Sequence, residues 1–231
     1  MLIAMHTRTA VLLGATGLVG GFCFEELKRS SAYNKITVIT RRPLNLAPHP
    51  AVIEKIQPDL SQLSPVDFQG VDDVFCALGT TIKQAGSQAA FRAVDYELPM
   101  IAAGAAKSAG AEQFMLVSSV GADAKSGNFY LRTKGELERD LAGVGLQAVH
   151  AFRPGLLLGT RNEFRTGEAI AQKLAPVLNV LFIGRLRQYR SIPAETVGRA
   201  MVGAAFQQQA GTHIYTYDEI GSLACALNIS Q

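Results

Sequence analysis

The sequence predicts a doubly wound, parallel α/β fold: one sheet with helices on both faces. Three observations predict it. Short apolar runs alternate with longer amphipathic segments through residues 1–150, which is the order of repeated β-α-β units. Most of these runs are continuously apolar, as strands buried on both faces are. The first run also leads directly into a glycine-rich turn and then into a helical segment.

The elements follow in this order along the chain. Six strands are predicted at Thr9–Leu13, Ile36–Thr40, Val52–Gln57, Asp73–Ala77, Phe114–Ser118 and Gln147–Phe152, with helices at Gly17–Arg29, Gln88–Ala109 and Phe129–Leu141. The proline-rich link from Pro43 to Pro50 is predicted as a loop. The later chain is predicted to form helices at Gly167–Phe182 and Ala194–Gln208 and a last strand at His213–Tyr217. We expect a single domain over residues 1–231, in which 153–231 form a small cap on the substrate side.

Composition excludes several classes of protein. Apolar residues make up 48% of the chain and charged residues 18%, which supports a sizeable core and excludes intrinsic disorder. The net charge of +3 is too small to predict a nucleic-acid partner. The three cysteines are odd in number and widely spaced, and the four histidines are scattered. We therefore expect no disulfide framework, no metal site and a reducing, cytoplasmic compartment.

Nothing in the sequence predicts membrane insertion. A transmembrane helix needs roughly 18 or more apolar residues, and the best run, residues 174–183, is shorter and contains Pro176 and Asn179. The apolar stretch at the N-terminus is too short for the core of a signal peptide. Met1 and Met5 are both candidate starts.

The glycine-rich turn carries the first functional prediction. Gly14, Gly17 and Gly20 follow a strand and open a helix, where glycines permit a tight turn and close approach of the backbone to a pyrophosphate. The helix N-terminus offers unpaired N–H groups to the phosphate charge. The spacing G-x-x-G-x-x-G differs from the usual G-x-G-x-x-G. This context predicts a Rossmann-type dinucleotide site.

The end of the second strand predicts which dinucleotide binds. Sites for NAD place an acidic residue here to accept hydrogen bonds from the ribose, whereas this chain has Thr40 followed by Arg41 and Arg42. Guanidinium groups bind a 2′-phosphate through charge-assisted hydrogen bonds. The alternative is a solvated basic loop, but the position after strand two favours NADP(H).

A candidate catalytic set follows the fifth strand. Tyr130 and Lys134 are four positions apart and share one face of a predicted helix. A neighbouring ammonium stabilises the phenolate form of tyrosine, so Tyr130 is a candidate general acid/base. A serine at the end of the strand could bind the same substrate oxygen, and both Ser118 and Ser119 are candidates, with Ser119 preferred.

Together, Gly14 to Gly20, Ser118-Ser119 and Tyr130-x-x-x-Lys134 resemble the signature of a short-chain dehydrogenase/reductase. Finer matches resemble an atypical branch, the Tat-interacting-protein oxidoreductase-like family and its bacterial relatives. These matches are Arg41-Arg42, Leu78-Gly79-Thr80-Thr81, Gly121-Ala122-Asp123, Phe152-Arg153-Pro154-Gly155 and Arg161-x-Glu163-x-Arg165-x-Gly167-Glu168. The resemblance extends to about Ala204 and implies NADPH as the cofactor.

Carried over residue by residue, the resemblance adds several residues to the site. It implies cofactor contacts from Thr16, Gly17, Leu18, Val19, Arg41, Arg42, Leu78, Gly79, Tyr130, Lys134, Leu157 and Arg165. Asp59, after the third strand, is where this superfamily often contacts the adenine. Arg165 would close over the cofactor and Arg161 would face an anionic substrate group, although a solvated, salt-bridged loop explains this cluster equally well. The basic segment Arg185–Arg190 is predicted to lie on the surface.

These expectations favour an NADP-dependent oxidoreductase that acts on a small carbonyl or alcohol, with a homodimer left open. The alternative is a regulator that binds NADP(H) and passes the redox state to a protein partner. Because a sensor needs no proton donor, Ser119, Tyr130 and Lys134 favour the enzyme. An epimerase or dehydratase is disfavoured because the short C-terminal part leaves little room for a sugar-nucleotide domain.

Overall fold

The computed structural model describes residues 7–159 and 182–227. Its main strands are β1 (Arg8–Leu13), β2 (Tyr33–Thr40), β3 (Val52–Ile56), β4 (Asp73–Cys76), β5 (Gln113–Val117), β6 (Ala148–Phe152) and β9 (Gly211–Tyr215). These seven strands form one parallel sheet in the order β3-β2-β1-β4-β5-β6-β9. A separate parallel pair is formed by β7 (Leu157–Leu158) and β8 (Ile192–Pro193). The predicted doubly wound Rossmann-type sheet is confirmed.

Helices cover both faces of the sheet. They are α1 (Leu18–Arg29), α2 (Ile82–Ala85), α3 (Gln88–Arg92), α4 (Leu98–Ser108), α5 (Phe129–Ala142), α6 (Ala194–Gln207) and α7 (Tyr217–Leu227). A π-helical turn at Ala93–Glu97 joins α3 to α4, and 3₁₀ turns lie at Leu60–Gln62, Pro65–Phe68 and Gly184–Tyr189. One core layer is formed with α1, α6 and α7, and the other with α4, α5 and the first two 3₁₀ turns.

Glycines let the first layer pack closely. A Cβ on Gly198 of α6 would lie 2.6 Å from the Cys23 nitrogen of α1. A Cβ on Gly203 would lie 2.6 Å from the Leu223 carbonyl oxygen of α7. Backbones this close leave no space for a side chain at either position. The two glycines therefore allow α6 to pack directly on both α1 and α7.

The last helix is the main element that the sequence interpretation missed. The predicted strand runs to Tyr217, but the strand ends at Tyr215 and α7 begins at Tyr217. The Glu219 carboxylate accepts a hydrogen bond from the Thr216 amide (2.9 Å) and another from its hydroxyl. A glutamate that binds the backbone amide three positions before it, as Glu219 does, is half of a capping box and marks the start of a helix.

Only part of the segment predicted as a cap, residues 153–231, lies within the described residues. After Ile192 the described chain returns to the central layers, since α6 covers the sheet and β9 adds its seventh strand. The predicted helix at Gly167–Phe182 lies almost wholly outside the described residues, as do Arg161, Glu163, Arg165 and Glu168. The division into one domain with a substrate-side cap therefore stays a prediction.

Candidate active site

The carboxyl ends of the parallel strands bring the predicted site residues to one edge of the sheet. Leu13 of β1 pairs in register with Cys76 of β4, and Cys76 with Leu116 of β5, which in turn pairs with Ala151 of β6. The loops that follow these strands therefore open on the same side. Ligands of open α/β sheets bind in this crevice.

The glycine-rich turn fits a close approach of backbone and ligand. Gly14 has φ +89°, and a Cβ there would lie 2.6 Å from the carbonyl carbon and oxygen of Ala77. The Gly17 amide donates to the Gly14 carbonyl at 2.9 Å. A Cβ on Gly20 would lie 2.1 Å from the same carbonyl oxygen. Gly14 and Gly20 therefore leave no space for a side chain in the tight turn between β1 and α1.

The N-terminus of α1 is open at this turn. Gly17 is its N-cap and provides no side-chain capping bond, and no acidic residue occupies the first turn. Thr16 is exposed, whereas the Val19 side chain is in the core. Val19 can therefore contribute only its backbone to a ligand. The turn offers N–H groups and a positive dipole end to phosphate oxygens.

The basic pair lies beside this turn at the end of β2. Arg41 and Arg42 are both exposed, and neither guanidinium has an ion-pair or hydrogen-bond partner among residues 7–159 and 182–227. The Thr40 hydroxyl donates to the Arg42 carbonyl, which fixes the local backbone. The two cations are therefore available to bind an anion at the end of β2.

Asp59 lies after β3, but its carboxylate is engaged locally. It accepts hydrogen bonds from the Ser61 amide (2.9 Å) and the Ser61 hydroxyl (2.6 Å), and from the Gln62 amide group (3.2 Å). The bonds from Ser61 lower its pKa. Asp59 caps the 3₁₀ turn Leu60–Gln62, so the structure gives it a structural role beside the predicted contact with adenine.

Tyr130 and Lys134 both lie on α5, as predicted. Tyr130 is half-buried, and its ring centroid is 5.6 Å from that of Phe91. Lys134 is buried, and its Nζ forms an ion pair at 2.8 Å with Oδ1 of Asp95, which is 1% exposed. Burial alone would lower the pKa of Lys134, but Asp95 and Tyr130 oppose it, and the net shift is upward.

Asp95 is the residue in contact with the candidate catalytic pair that the sequence interpretation missed. It lies in the π-helical turn, and its Oδ2 accepts a hydrogen bond from the Thr80 amide at 2.7 Å. A signal for it exists in the sequence, because Asp95 falls on the same helical face as the apolar residues Phe91 and Ala102. A charged residue on a buried face needs a partner, and Lys134 is that partner.

The two candidate serines have different surroundings. Ser118 is buried, and its hydroxyl donates to Oε1 of Glu138. Glu138 also accepts from Nε of Arg153 at 3.0 Å, so Ser118 belongs to a buried network between β5, α5 and the end of β6. Ser119 is half-buried, and among residues 7–159 and 182–227 its hydroxyl makes only a 3.4 Å contact with the Val120 carbonyl. Of the two hydroxyls, that of Ser119 is the one not bound to another side chain in the described residues.

Gly135 fixes the loop that carries Ser119. A Cβ at this position would lie 2.2 Å from the Ala124 nitrogen and from the Asp123 carbonyl carbon. The loop therefore rests directly on α5, between Lys134 and Glu138.

The remaining predicted residues divide between described and undescribed parts. Leu78 is half-buried and Gly79 is exposed in the loop that packs on Gly14. Leu157 lies in β7, and a Cβ on the nearby Gly159 would lie 2.9 Å from Leu18 Cδ1. This contact brings the end of β7 to the glycine-rich turn. Arg165 lies outside the described residues.

Within the described part of the chain, no helix is long and apolar enough to cross a membrane. No group of three or more His, Cys, Asp or Glu side chains there could hold a metal ion.

Known proteins resemble this chain over most of its length. Protein FMP52-1, mitochondrial, from Scheffersomyces stipitis is 34% identical over 213 residues, which cover 87% of this chain and 85% of that protein. Protein HTATIP2 from Rattus norvegicus is 33% identical over 207 residues, covering 86% and 81%. The resemblance predicted from the motifs is confirmed by these relatives.

Solved structures share the fold. MoeE5 in complex with UDP-glucose and NAD has a TM-score of 0.67 at 18% identity, over 95% of this chain and 81% of that one. At this identity the likeness shows the fold alone. A family model described as NAD(P)H-binding matches residues 14–207. The chain therefore has a Rossmann-type fold and belongs to the NAD(P)H-binding family.

Proposed function

We propose that the protein is an NADP-dependent oxidoreductase of the short-chain dehydrogenase/reductase type, acting on a small carbonyl or alcohol. One series of contacts carries the proposal: Gly14 packs on the Ala77–Leu78 backbone, Thr80 in the same loop donates to Asp95, and Asp95 pairs with Lys134. These contacts connect the glycine-rich turn, where a dinucleotide would bind, to the Tyr130–Lys134 pair.

The residues present fit an NADP(H) dinucleotide. The Gly14–Gly20 turn and the α1 N-terminus would hold the pyrophosphate, and the exposed Arg41 and Arg42 would hold a 2′-phosphate. Leu78, Gly79, Leu157 and Arg165 would complete the cofactor contacts. When bound, the nicotinamide supplies or accepts the hydride. The protein's own residues supply binding, orientation and the proton.

Each catalytic residue has a distinct role in this proposal. Tyr130 gives its hydroxyl proton to the substrate oxygen during reduction and takes it back during oxidation. Lys134 remains an ammonium, stabilises the tyrosinate and donates to the nicotinamide ribose. Ser119 donates a hydrogen bond that orients the same substrate oxygen, whereas Ser118 is committed to Glu138.

Tyr130→Phe tests the proposal most directly. The change keeps the ring and its packing on Phe91 but removes the proton, so turnover should fall by about 10²- to 10⁴-fold while NADPH affinity stays nearly constant. A carbonyl panel with NADPH, followed at the nicotinamide absorbance band, identifies the substrate first. Tyr96→Phe is the matched control: it removes a hydroxyl from a helical tyrosine that bonds Asp140 instead.

Two results would count against the enzyme. Turnover that survives Tyr130→Phe would show that the proton comes from another group. Tight NADPH binding by the wild type without reduction of any carbonyl in a broad panel would favour the regulator that signals the NADP(H) redox state.

The compartment is a separate question. The strictly cytoplasmic location predicted from the cysteines does not fit the names of the fungal relatives, which are mitochondrial. We propose a compartment with reducing conditions, because all three cysteines are free thiols and one of them, Cys225, is exposed. Fractionation of the source cells tests this.

A further inference from the structure

We propose that Asp95 is a positioning residue of the active site: it keeps the Lys134 ammonium charged and ties it to the loop Leu78–Thr81. This inference rests on the proposed function, in which Lys134 serves the cofactor ribose and Tyr130. It assigns a role to a residue in the π-helical turn that joins α3 to α4.

The geometry makes Asp95 a bridge between two parts of the site. One carboxylate oxygen lies 2.8 Å from Lys134 Nζ, and the other accepts the Thr80 amide at 2.7 Å. Thr80 follows Leu78, whose backbone lies against Gly14. A single buried carboxylate therefore connects the loop that packs on the glycine-rich turn to the Lys134 ammonium.

Burial makes this carboxylate necessary. Lys134 is 4% exposed and Asp95 is 1% exposed. A lysine removed from water loses its proton readily unless an anion stays beside it. An ammonium has three N–H donors, and in the described residues Asp95 is the only hydrogen-bonding side chain paired with it. The other donors remain for the cofactor and for Tyr130.

Two other titratable groups face the pair. Tyr130 lies one turn before Lys134 on α5, and the Cys76 thiol faces both charges from the end of β4. Burial raises the pKa of Cys76 to about 11, so this thiol is neutral at physiological pH. Asp95 is accordingly the anion that decides the charge of Lys134 there.

Asp95→Asn is the test variant. The amide keeps the shape and an oxygen acceptor for Thr80, but removes the negative charge. The first readout is NMR of ¹³C-lysine-labelled full-length protein, with the Lys134 signal assigned from Lys134→Arg. In the wild type we expect Lys134 to titrate above the ordinary lysine pKa of about 10.4. In Asp95→Asn we expect it to titrate below that value.

The second readout is the affinity for NADPH as a function of pH. In Asp95→Asn the affinity should fall by about ten- to a hundredfold as Lys134 loses its proton, the loss expected for one charge-assisted contact. The wild type should show no such fall over the same interval. A purely structural role for Asp95 would lower stability without producing this pH dependence.

Asp73→Asn is the matched control. Asp73 is also buried and pairs with Arg8 at 2.6 Å. It lies at the amino end of β4, whereas the candidate site lies at the carboxyl ends of the strands. This variant should lose stability while leaving the Lys134 titration and the pH profile of NADPH binding as in the wild type.

The outcomes separate this inference from the proposed function. If Lys134 titrates at the same pH in Asp95→Asn and in the wild type, Asp95 does not hold its charge and the inference is wrong, even if Tyr130→Phe abolishes turnover. Should Asp95→Asn fail to fold, a wild-type Lys134 that titrates below the ordinary value would also overturn the inference. The NMR readout needs no turnover, so it stands if the enzyme assignment fails.

Discussion

Arg41 and Arg42 are the residues on which the proposed preference for NADP(H) depends. They are exposed and unpaired within the described chain, and they follow β2, where an acidic residue would select NAD. A bound 2′-phosphate would give them a charge-assisted partner that NADH lacks. Their effect should therefore appear as a difference between the two cofactors.

We expect Arg41→Ala/Arg42→Ala to weaken NADPH binding by about ten- to a hundredfold for each guanidinium–phosphate pair that the substitutions remove. NADH binding should change little, because no 2′-phosphate is present. Fluorescence titration of both cofactors measures this, with Lys107→Ala, an exposed cation on α4, as control. Equal losses for both cofactors would show that the arginines act as general surface charge.

At the residue scale, part of the site could be predicted because its chemistry depends on local sequence. The glycines, the arginines and Tyr130-x-x-x-Lys134 are each recognised from a few neighbouring positions. Asp95 could not be assigned in this way, since its partners Thr80 and Lys134 become neighbours only through the tertiary fold. The same holds for Ser118, whose partner Glu138 lies 20 positions away.

Helix α5 carries the candidate catalytic residues, and its contact with the Ser119 loop depends on a missing side chain. Gly135→Ala would place a methyl group 2.2 Å from backbone atoms of Asp123 and Ala124. The loop must then move, which we expect to cost about 1–3 kcal/mol of unfolding free energy and to lower turnover through Ser119. Urea denaturation and steady-state kinetics measure the two effects.

Gly104→Ala in α4 is the control for that substitution. A Cβ on Gly104 meets nothing within 4 Å, so alanine should stabilise the helix by up to about 1 kcal/mol. If Gly135→Ala and Gly104→Ala changed the free energy of unfolding and turnover equally, the close contact at Gly135 would not determine the position of the loop.

Among the elements, the strands and long helices could be predicted because each has its own apolar pattern. The missed helix α7 begins inside a run, Tyr-Thr-Tyr, that resembles a strand. Its capping pair, Thr216 and Glu219, was present in the sequence, but the apolar periodicity of the preceding strand obscured it. The β7–β8 pair, with two residues in each strand, is too short to leave a pattern.

The whole molecule contains a buried polar network distant from the candidate site. His150 of β6 contacts the Tyr215 hydroxyl at 3.0 Å and Gln113 at 3.3 Å, and Gln113 donates to Asp73 at 2.8 Å. Burial lowers the pKa of His150 to about 4, with a smaller contribution from His213. The folded protein therefore holds this histidine neutral where the unfolded chain would protonate it.

Stability should consequently fall as the solution is acidified. Between pH 6.5 and about 4, His150 is protonated in the unfolded chain but remains neutral in the folded protein. Integrated over this interval, the loss in the free energy of unfolding is about 3 kcal/mol. Above pH 6.5 the contribution is complete. Urea unfolding at a series of pH values measures it.

His150→Gln serves as the comparison, because glutamine keeps hydrogen-bonding groups but does not titrate. The difference between the wild-type and variant stabilities should shrink steadily below pH 6.5. A constant difference across the interval would mean that His150 does not titrate as its burial implies.

The contact between α1 and α6 also has a consequence for how the protein is made. The helix that opens the dinucleotide cradle is covered by Gly198 and its neighbours, which the ribosome adds long after it has synthesised α1. Until then the apolar side chains of α1, including Phe24 and Leu27, lack their native cover. Contacts so distant in sequence slow folding and prolong exposure of such surfaces. The nascent chain should therefore depend on chaperones until α6 emerges, and its cofactor cradle should form late.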